Sequence, residues 1–156
     1  MRVRLGPALA LALALATRTA AGDEAQGKRL FEEGKAAMAA RDFPTACARF
    51  EASFEAAAVP GAWLSWADCE EQRGRLATAL SLWRRGAELV AGDAERSSFV
   101  RNRIAALDVR VPKVTVTLPS TVQNGSVMID GRPVALGVVT PVDPGPHQVE
   151  ARADGL

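Results

Sequence analysis

Residues 30–57 read LFEEGKAAMAARDFPTACARFEASFEAA, residues 63–90 read WLSWADCEEQRGRLATALSLWRRGAELV, and one pattern runs through both stretches. The second copy follows the first at a distance of 33 residues. The equivalent positions hold residues of similar character: Leu30 and Trp63, Gly34 and Ala67, Phe43 and Leu76, Ala46 and Ala79, Phe50 and Trp83, Ala57 and Val90. A repeat of this period indicates stacked supersecondary units.

Each copy contains two runs with the spacing of an amphipathic helix. Apolar residues recur in threes and fours on both sides of Arg41 and Asp42, and again on both sides of Arg73 and Gly74. The residues between the runs are typical of turns. Small residues such as Ala46 let two helices approach closely. Each copy is therefore predicted to form an antiparallel helical hairpin.

This arrangement resembles the tetratricopeptide repeat, in which a large residue, a small one, an alanine and an aromatic recur at fixed intervals. The chain departs from that pattern at the tyrosine position, where Ala37 and Glu70 stand, and it has no well-placed closing proline. The resemblance covers about 65 residues. It implies stacked hairpins whose first helices line a concave face that holds an extended segment of a protein partner.

The resemblance also places the partner-binding residues, position by position. They are Phe31, Lys35 and Met38 of the first copy, Leu64, Asp68 and Glu71 of the second, and Ser97, Arg101 and Ile104 of the helix that follows. Mixed charge beside an apolar strip suits a peptide better than a polyanion. A second interpretation stays open: two repeats form only a shallow groove, and these are ordinary surface residues.

The amino terminus has the pattern of a secretory signal. Arg2 and Arg4 precede an apolar run of leucine and alanine, and small residues stand before Gly22. The run is shorter than the roughly 20 residues that span a bilayer. We therefore expect residues 1–21 to be a cleaved signal peptide of a bacterial periplasmic or secreted protein, with an uncleaved hydrophobic helix as the alternative and no membrane span in the chain.

The remaining composition argues against several function classes. The chain has 19 basic and 18 acidic residues, and a net charge of +1 gives no reason to expect nucleic acid. His147 is the sole histidine, and it has no recognisable nucleophile or oxyanion donors around it in sequence. Two cysteines without a nearby histidine cannot complete a zinc site. The sequence therefore predicts a non-enzyme with no cofactor and no metal.

Two sets of residues in the repeats admit alternative interpretations. Cys47 and Cys69 are the only cysteines, and in an exported protein they form either a disulfide or two buried thiols. Trp63, Trp66 and Trp83 form either a stacking platform or part of the core, and their helical spacing favours the core. The acidic pairs Glu32-Glu33 and Glu70-Glu71 are interpreted as solvated helix faces.

A fifth helix is predicted from Ala94 to Leu107, with Asp93 as its N-cap. Its apolar residues would close the open end of the second repeat, since a short stack needs a capping helix. Three of its arginines are expected to point into solvent: Arg96, Arg101 and Arg103.

Beyond Val109 the hydrophobic period changes to two. Strands are predicted at 113–118, at 126–130 with an Asp130-Gly131 turn, and at 147–153. The prolines between the last two strands, including Pro141, are expected to force tight loops.

This tail resembles the PEGA family of small β-sandwich modules over roughly 44 residues. The matching residues are Val127, Ile129, Asp130, Gly131, Pro133, Val134, Thr140, Pro141, Pro144, Gly145, His147, Val149, Ala151 and Gly155. Modules of the family continue past the point that Leu156 reaches, so we expect an incomplete sandwich with an open edge. The resemblance makes His147 a turn residue at the start of a strand and not a general base.

Together these patterns predict an α+β protein. Residues 1–21 are the signal peptide, 22–110 a helical repeat domain of about five helices, and 111–156 an incomplete β-sandwich. The first hypothesis is a non-enzymatic exported scaffold, whose helices bind a protein partner while its β module docks to another envelope component. The second is a module that binds cell-wall glycan, with the helices as spacer or oligomerisation surface. A third makes both parts accessories to a catalytic or membrane-spanning region beyond Leu156.

Overall fold

The computed structural model describes residues 19–153 of the 156-residue chain, with side chains from residue 23 onward. The predicted signal peptide therefore lies outside the described residues, except for three backbone positions. Five helices are followed by five strands: α1 Thr19–Ala39, α2 Phe43–Ala57, α3 Pro60–Gln72, α4 Leu76–Leu89, α5 Ala94–Asp108, β1 Lys113–Thr115, β2 Ser126–Ile129, β3 Arg132–Val134, β4 Val139–Pro141 and β5 Val149–Arg152. The predicted α+β class is confirmed.

The chain divides into two compact units, of which the first ends at Trp66 and the second begins at Ala67. Helices α4 and α5 belong to the same unit as all the strands. The domain limits 22–110 and 111–156 stay a prediction. Each unit is described by itself below, and residues 113–152 are called the β part.

In the first unit, α1 and α2 form the predicted hairpin, and glycines let them approach. A Cβ atom on Gly34 would lie 2.8 Å from the ring of Phe50, and one on Gly27 would lie 2.6 Å from Cβ of Ala57. Ser53 donates a buried hydrogen bond of 2.8 Å from its hydroxyl to the carbonyl oxygen of Gly27. The hairpin is therefore held at contact distance along its length by residues that lack side-chain bulk.

The ends of α2 follow from its sequence. Asp42 is the N-cap, and its carboxylate accepts a hydrogen bond of 3.3 Å from the backbone N–H of Thr45. Ala58 adopts a left-handed conformation with φ of 50°, and Pro60 then opens α3. Both ends of α2 are therefore set by residues next to it in the chain.

Aromatic rings pack along the first unit. The ring centroids of Phe31 and Phe50 lie 5.5 Å apart, those of Phe54 and Trp63 lie 4.7 Å apart, and those of Trp63 and Trp66 lie 5.1 Å apart. Phe50 is buried, whereas Trp63 and Trp66 are half-buried. These contacts are tilted or edge-to-face, the arrangement that aromatic side chains prefer in cores.

The helical core of the second unit lies between α4 and α5. Leu80 and Trp83 of α4 and Val100 and Leu107 of α5 are fully buried. Trp83 therefore fills the core, as its spacing predicted. Asp93 caps α5 by accepting a hydrogen bond of 2.9 Å from the backbone N–H of Arg96, so the predicted start of this helix is confirmed.

The β part forms two small antiparallel sheets. One pairs β1 with β4, and the other has the order β3-β2-β5. Asp130 and Gly131 connect β2 to β3 with φ of 51° and 73°, the left-handed pair that a tight hairpin turn requires. Val127 and Ile129 of β2 supply the buried side chains of the larger sheet.

Two of the predicted β features need correction. The strand expected at 113–118 ends at Thr115, and the strand expected from His147 begins at Val149. Pro141 was assigned to a tight loop, yet it ends strand β4. A proline can occupy a strand at the edge of a sheet because no ladder hydrogen bond from its nitrogen is needed there, and β4 is such an edge strand.

Candidate functional site

The predicted partner-binding face begins on α1, in the first unit. The Nζ atom of Lys35 lies 5.6 Å from the ring centroid of Phe31 and 2.7 Å from Oε2 of Glu32. Phe31 and Met38 are half-buried and Lys35 is exposed, and Leu64 of α3 is also half-buried. The apolar and charged groups expected on α1 are therefore accessible to a partner.

In the second unit, two of the predicted binding residues are engaged within the chain. Nη2 of Arg103 lies 3.2 Å from Oδ1 of Asp68 and 2.7 Å from Oε2 of Glu71. Arg110 also contacts Glu71, at 3.2 Å, and only 8% of the Glu71 side chain is exposed. Both carboxylates are thus committed to arginines of this unit, while Arg101 is exposed.

The expectation that Arg103 points into solvent is wrong. Its side chain is two-thirds buried, and its guanidinium carbon lies 5.7 Å from the ring centroid of Trp83. A guanidinium can stack on an indole face and still reach carboxylates through its edge. The sequence signal was the pair of acids three residues apart, Asp68 and Glu71, on one face of α3.

The interpretation of Glu70 and Glu71 as a solvated helix face is also wrong. Only 4% of Glu70 is exposed, and its carboxylate lies 3.6 Å from Nη1 of Arg73 and 3.8 Å from Nε of Arg75. The turn between α3 and α4 brings these two arginines back beside the acid. A buried carboxylate needs such cationic neighbours because its desolvation is costly.

The two cysteines are buried. Cys47 is 2% exposed and Cys69 has no exposed surface. Both are disulfide-bonded, and the described residues contain no free thiol.

A cleft of about 500 Å³ lies in the second unit, and no sequence pattern predicts it. One wall is the first half of α4, and the other is the β part between Ile129 and His147. Its polar lining residues are Arg75, Thr78, Ser81, Arg84, Asp130, Arg132, Thr140, Asp143 and His147. The volume falls in the range of roughly 300–1,000 Å³ that ligand-binding clefts occupy.

Asp143 of the β part caps the amino terminus of α4. Its Oδ1 accepts a hydrogen bond of 2.9 Å from the backbone N–H of Thr78, and its Oδ2 accepts bonds of 2.7 Å from the Thr78 hydroxyl and 3.3 Å from Nε of Arg75. Arg75 is itself the N-cap residue of α4 and makes no side-chain capping bond. Asp143 lies 65 positions beyond Thr78 in the chain. It therefore supplies the hydrogen-bond acceptor that the residues next to α4 lack.

The same carboxyl group is held in its charged form. Partial burial alone would raise the pKa of Asp143, but the hydrogen bonds from Thr78 and Arg75 outweigh burial and lower the pKa below its ordinary value. The positive end of the α4 dipole acts in the same direction.

His147 joins this cap to the β2–β3 turn. Its Nδ1 lies 2.6 Å from Oδ2 of Asp130, and its Nε2 lies 2.6 Å from the backbone carbonyl oxygen of Asp143. Both partners are acceptors, so both ring nitrogens donate when the imidazole is protonated. The hydrogen bond with Asp130, followed by the one with the Asp143 carbonyl, raises the pKa of His147.

Asp130 completes the arrangement, and its hydrogen bond with His147 lowers the pKa of its carboxyl group. Its Oδ1 also accepts a bond of 2.9 Å from the backbone N–H of Gln148. We call the set of Arg75, Thr78, Asp130, Asp143 and His147 the clasp. The placement of His147 just before β5 agrees with a structural role in the turn, and both of its nitrogens are occupied.

One sequence signal pointed to the clasp without identifying it. The residue before α4 is an arginine, which cannot accept a hydrogen bond from the first backbone N–H groups of the helix. A helix start without a capping residue implies an acceptor from elsewhere, but periodicity does not say which residue supplies it.

No family model, no curated protein and no solved structure matches this chain. Among residues 19–153, no three His, Cys, Asp or Glu side chains are grouped so that they could hold a metal ion. None of the described helices is both long enough and apolar enough to cross a membrane.

Proposed function

We propose that this protein is a non-enzymatic exported scaffold, in which the helices bind a protein partner and the β part docks to a second protein of the cell envelope. The observation that carries the proposal is a run of exposed apolar side chains in the β part. Leu136, Val138 and Val139 are exposed by 40%, 53% and 61%. We call residues 136–139 the apolar segment.

Exposed apolar groups of this kind favour a protein surface as the partner. Contiguous apolar side chains on a small protein mark interaction sites, because leaving them in water costs free energy. Three large, exposed apolar residues within four positions form a cluster, whereas exposed apolar residues on an ordinary protein surface are scattered singly.

The helical unit supports the other half of the proposal. Phe31 and Met38 are half-buried at helical spacing on α1, with the charged Lys35 between them. A peptide that lies across this strip would bury apolar surface and meet one charged group, the combination found at peptide-binding faces. Export rests on the arginines and the apolar run at the amino terminus.

The glycan-binding alternative has less support. Sugar rings stack their apolar faces on aromatic side chains, and residues 111–156 contain no Phe, Tyr or Trp. A glycan site in the β part would therefore depend on hydrogen bonds alone.

The test is a pull-down from a cell-envelope extract with the full chain and two variants. Lys35→Glu/Met38→Gln changes the α1 face, and Leu136→Ser/Val138→Ser/Val139→Thr removes the apolar segment while keeping a β-branched residue in β4. Arg29→Glu is the matched control, since Arg29 is an exposed charge on α1 whose side chain is 67% accessible.

We expect discrete proteins to be retained by the wild type and the control, with a different subset lost in each variant. If the wild type retains only polysaccharide, the glycan alternative replaces the scaffold. If all four chains retain the same proteins, neither surface is a binding site and the proposal fails.

A further inference from the structure

We propose that the cleft between α4 and the β part binds an acidic segment of a protein partner, with a carboxylate on Arg132 and neighbouring apolar side chains on the apolar segment. The inference rests on the proposed function and deepens it, because it names the chemistry of the segment that docks to the β part.

The first argument is the balance of charge in the cleft. Its cationic side chains are Arg75, Arg84 and Arg132, with His147 when protonated, against the carboxylates of Asp130 and Asp143. Arg75 and Arg84 also pair with Glu70 and Asp108, so the uncompensated positive charge of the lining lies on Arg132, in a partly enclosed space where charges are screened less than on an open surface.

The second argument is that the two carboxylates are already satisfied by donors of the chain. Asp143 accepts bonds from Thr78 and Arg75, and Asp130 accepts bonds from His147 and Gln148. A cationic ligand would compete with these internal donors for the two carboxylates. An anionic ligand would not.

The third argument is that guanidinium groups stay available. The exposed side chain of Arg132 makes no hydrogen bond and no ion pair with any residue between 19 and 153, although its charge helps to lower the pKa of Asp130. Arg84 uses Nη2 for a bond of 3.0 Å to Asp108 and has further N–H groups free. A guanidinium can bind a carboxylate through two parallel N–H donors.

The apolar segment gives the occupant its second property. Pro133, Val134, Thr140 and Pro141 line the cleft, and the apolar segment is the stretch of chain between them. The exposed apolar side chains of that stretch begin at Leu136, four positions after Arg132 in the chain. Acidic residues next to apolar ones fit both features, whereas a free inorganic anion fits only the first.

The experiment measures the affinity of the full chain for a defined probe by isothermal titration calorimetry. The probe is a capped eight-residue peptide with two glutamates beside two leucines in a serine background, and its partner probe has glutamines in place of the glutamates. Arg132→Gln is the test variant. Arg152→Gln is the matched control, since Arg152 is an exposed arginine of the same β part that does not line the cleft.

We expect the glutamate peptide to bind the wild type and Arg152→Gln equally well. Arg132→Gln should weaken that binding about tenfold, the effect of losing one charge-assisted pair. Replacing the glutamates of the peptide by glutamines should weaken its binding to the wild type by at least as much as Arg132→Gln weakens binding of the glutamate peptide. Circular dichroism of the variants should match the wild type, since Arg132 makes no hydrogen bond or ion pair with the described residues.

Three results would overturn the inference. They are no binding of the glutamate peptide to the wild type, equal binding of both peptides, or equal losses in the two arginine variants. Tighter binding of an acidic polysaccharide such as polygalacturonate, lost in Arg132→Gln, would also overturn it, since the occupant would then be a glycan. Failure here leaves the scaffold proposal standing when the pull-down still depends on the apolar segment.

Discussion

The hairpin of α1 and α2 and the junction between α4 and the β part are held together by opposite kinds of contact. In the hairpin, glycines and alanines bring two helices close enough for Phe50 to fill the space beside Gly34. At the junction, two carboxylates, one imidazole and one helix amino terminus are joined by hydrogen bonds. The comparison shows that apolar packing can be recognised from the period of the apolar residues. A polar contact between distant residues is indicated in the sequence only by a hydrogen-bonding group that has no local partner.

The largest expected effect comes from the apolar side of the comparison. Phe50→Ala removes a ring that is 2% exposed, and it should lower the free energy of unfolding by about 3–5 kcal/mol. Urea denaturation followed by circular dichroism measures this loss. Phe99→Ala is the control, since Phe99 is 52% exposed and its removal should cost much less. Equal losses would show that the hairpin does not depend on this ring.

Gly34→Val tests the same packing from the other direction. The added side chain would meet the Phe50 ring at a distance that real Cβ contacts do not show, so either the ring or the two helices must shift. We expect a loss of about 1–3 kcal/mol in the free energy of unfolding. Gly61→Ala is the control, because Gly61 lies in α3 with open space around it, and the change should be neutral or stabilising. A neutral Gly34→Val would contradict close contact of the helices.

Asp143→Ala tests the polar side. It removes the acceptor for the first turn of α4, and the loss expected for a helix cap is about 0.5–2 kcal/mol. Hydrogen exchange should show faster exchange of the Thr78 amide and little change in α5. Asp93→Ala, which removes the local cap of α5, is the comparison. If Asp143→Ala affected neither stability nor the Thr78 amide, the clasp would not hold α4.

The smallest effect is a pH dependence of stability. The pKa of His147 is raised in the folded protein, so its contribution is fully present below about pH 6.5 and is lost as the pH rises through the folded pKa. Asp130 and Asp143 hold its two ring nitrogens, and both carboxyl groups keep their charge throughout this window because their pKa values are lowered. His147→Gln should therefore abolish the decline between pH 6 and pH 9, as measured by unfolding at a series of pH values.

The chain has one histidine, so the difference between the wild type and His147→Gln isolates this group. The α-amino group titrates in the same range, but it is common to both proteins and cancels. Identical pH profiles would mean that the imidazole contributes nothing to the folded state.

The helices could be predicted from sequence because their determinants are local. Asp42 and Asp93 cap α2 and α5 from adjacent positions, and the 33-residue repeat gives α2 and α4 apolar residues at equivalent positions. The predicted hairpin of α1 and α2 follows from the same spacing. Strand β4 was missed because Pro141 reads as a breaker, and only its place at the edge of a sheet permits it there.

The site was predicted poorly, for a physical reason. Asp68 and Glu71 are charged residues of the kind found on an exposed binding face, but both carboxylates pair with Arg103 of α5. The cleft depends on Asp143 and His147 meeting a helix whose first residues stand 65 or more positions earlier. The spacing of apolar residues does not predict a contact between residues so far apart in the chain. Only the absence of a capping residue at Arg75 indicated that one was needed.

The capping of α4 from the β part sets an order for folding as the chain is made. The first backbone N–H groups of α4 are ready when residue 80 has been synthesised, yet their acceptor arrives only with Asp143. Until then these groups bond to water, and the start of α4 frays. The upstream hairpin of α1 and α2 has its contacts close in sequence and can form early. Completion of the second unit therefore has to wait until Asp143 has been synthesised, 65 positions after Thr78.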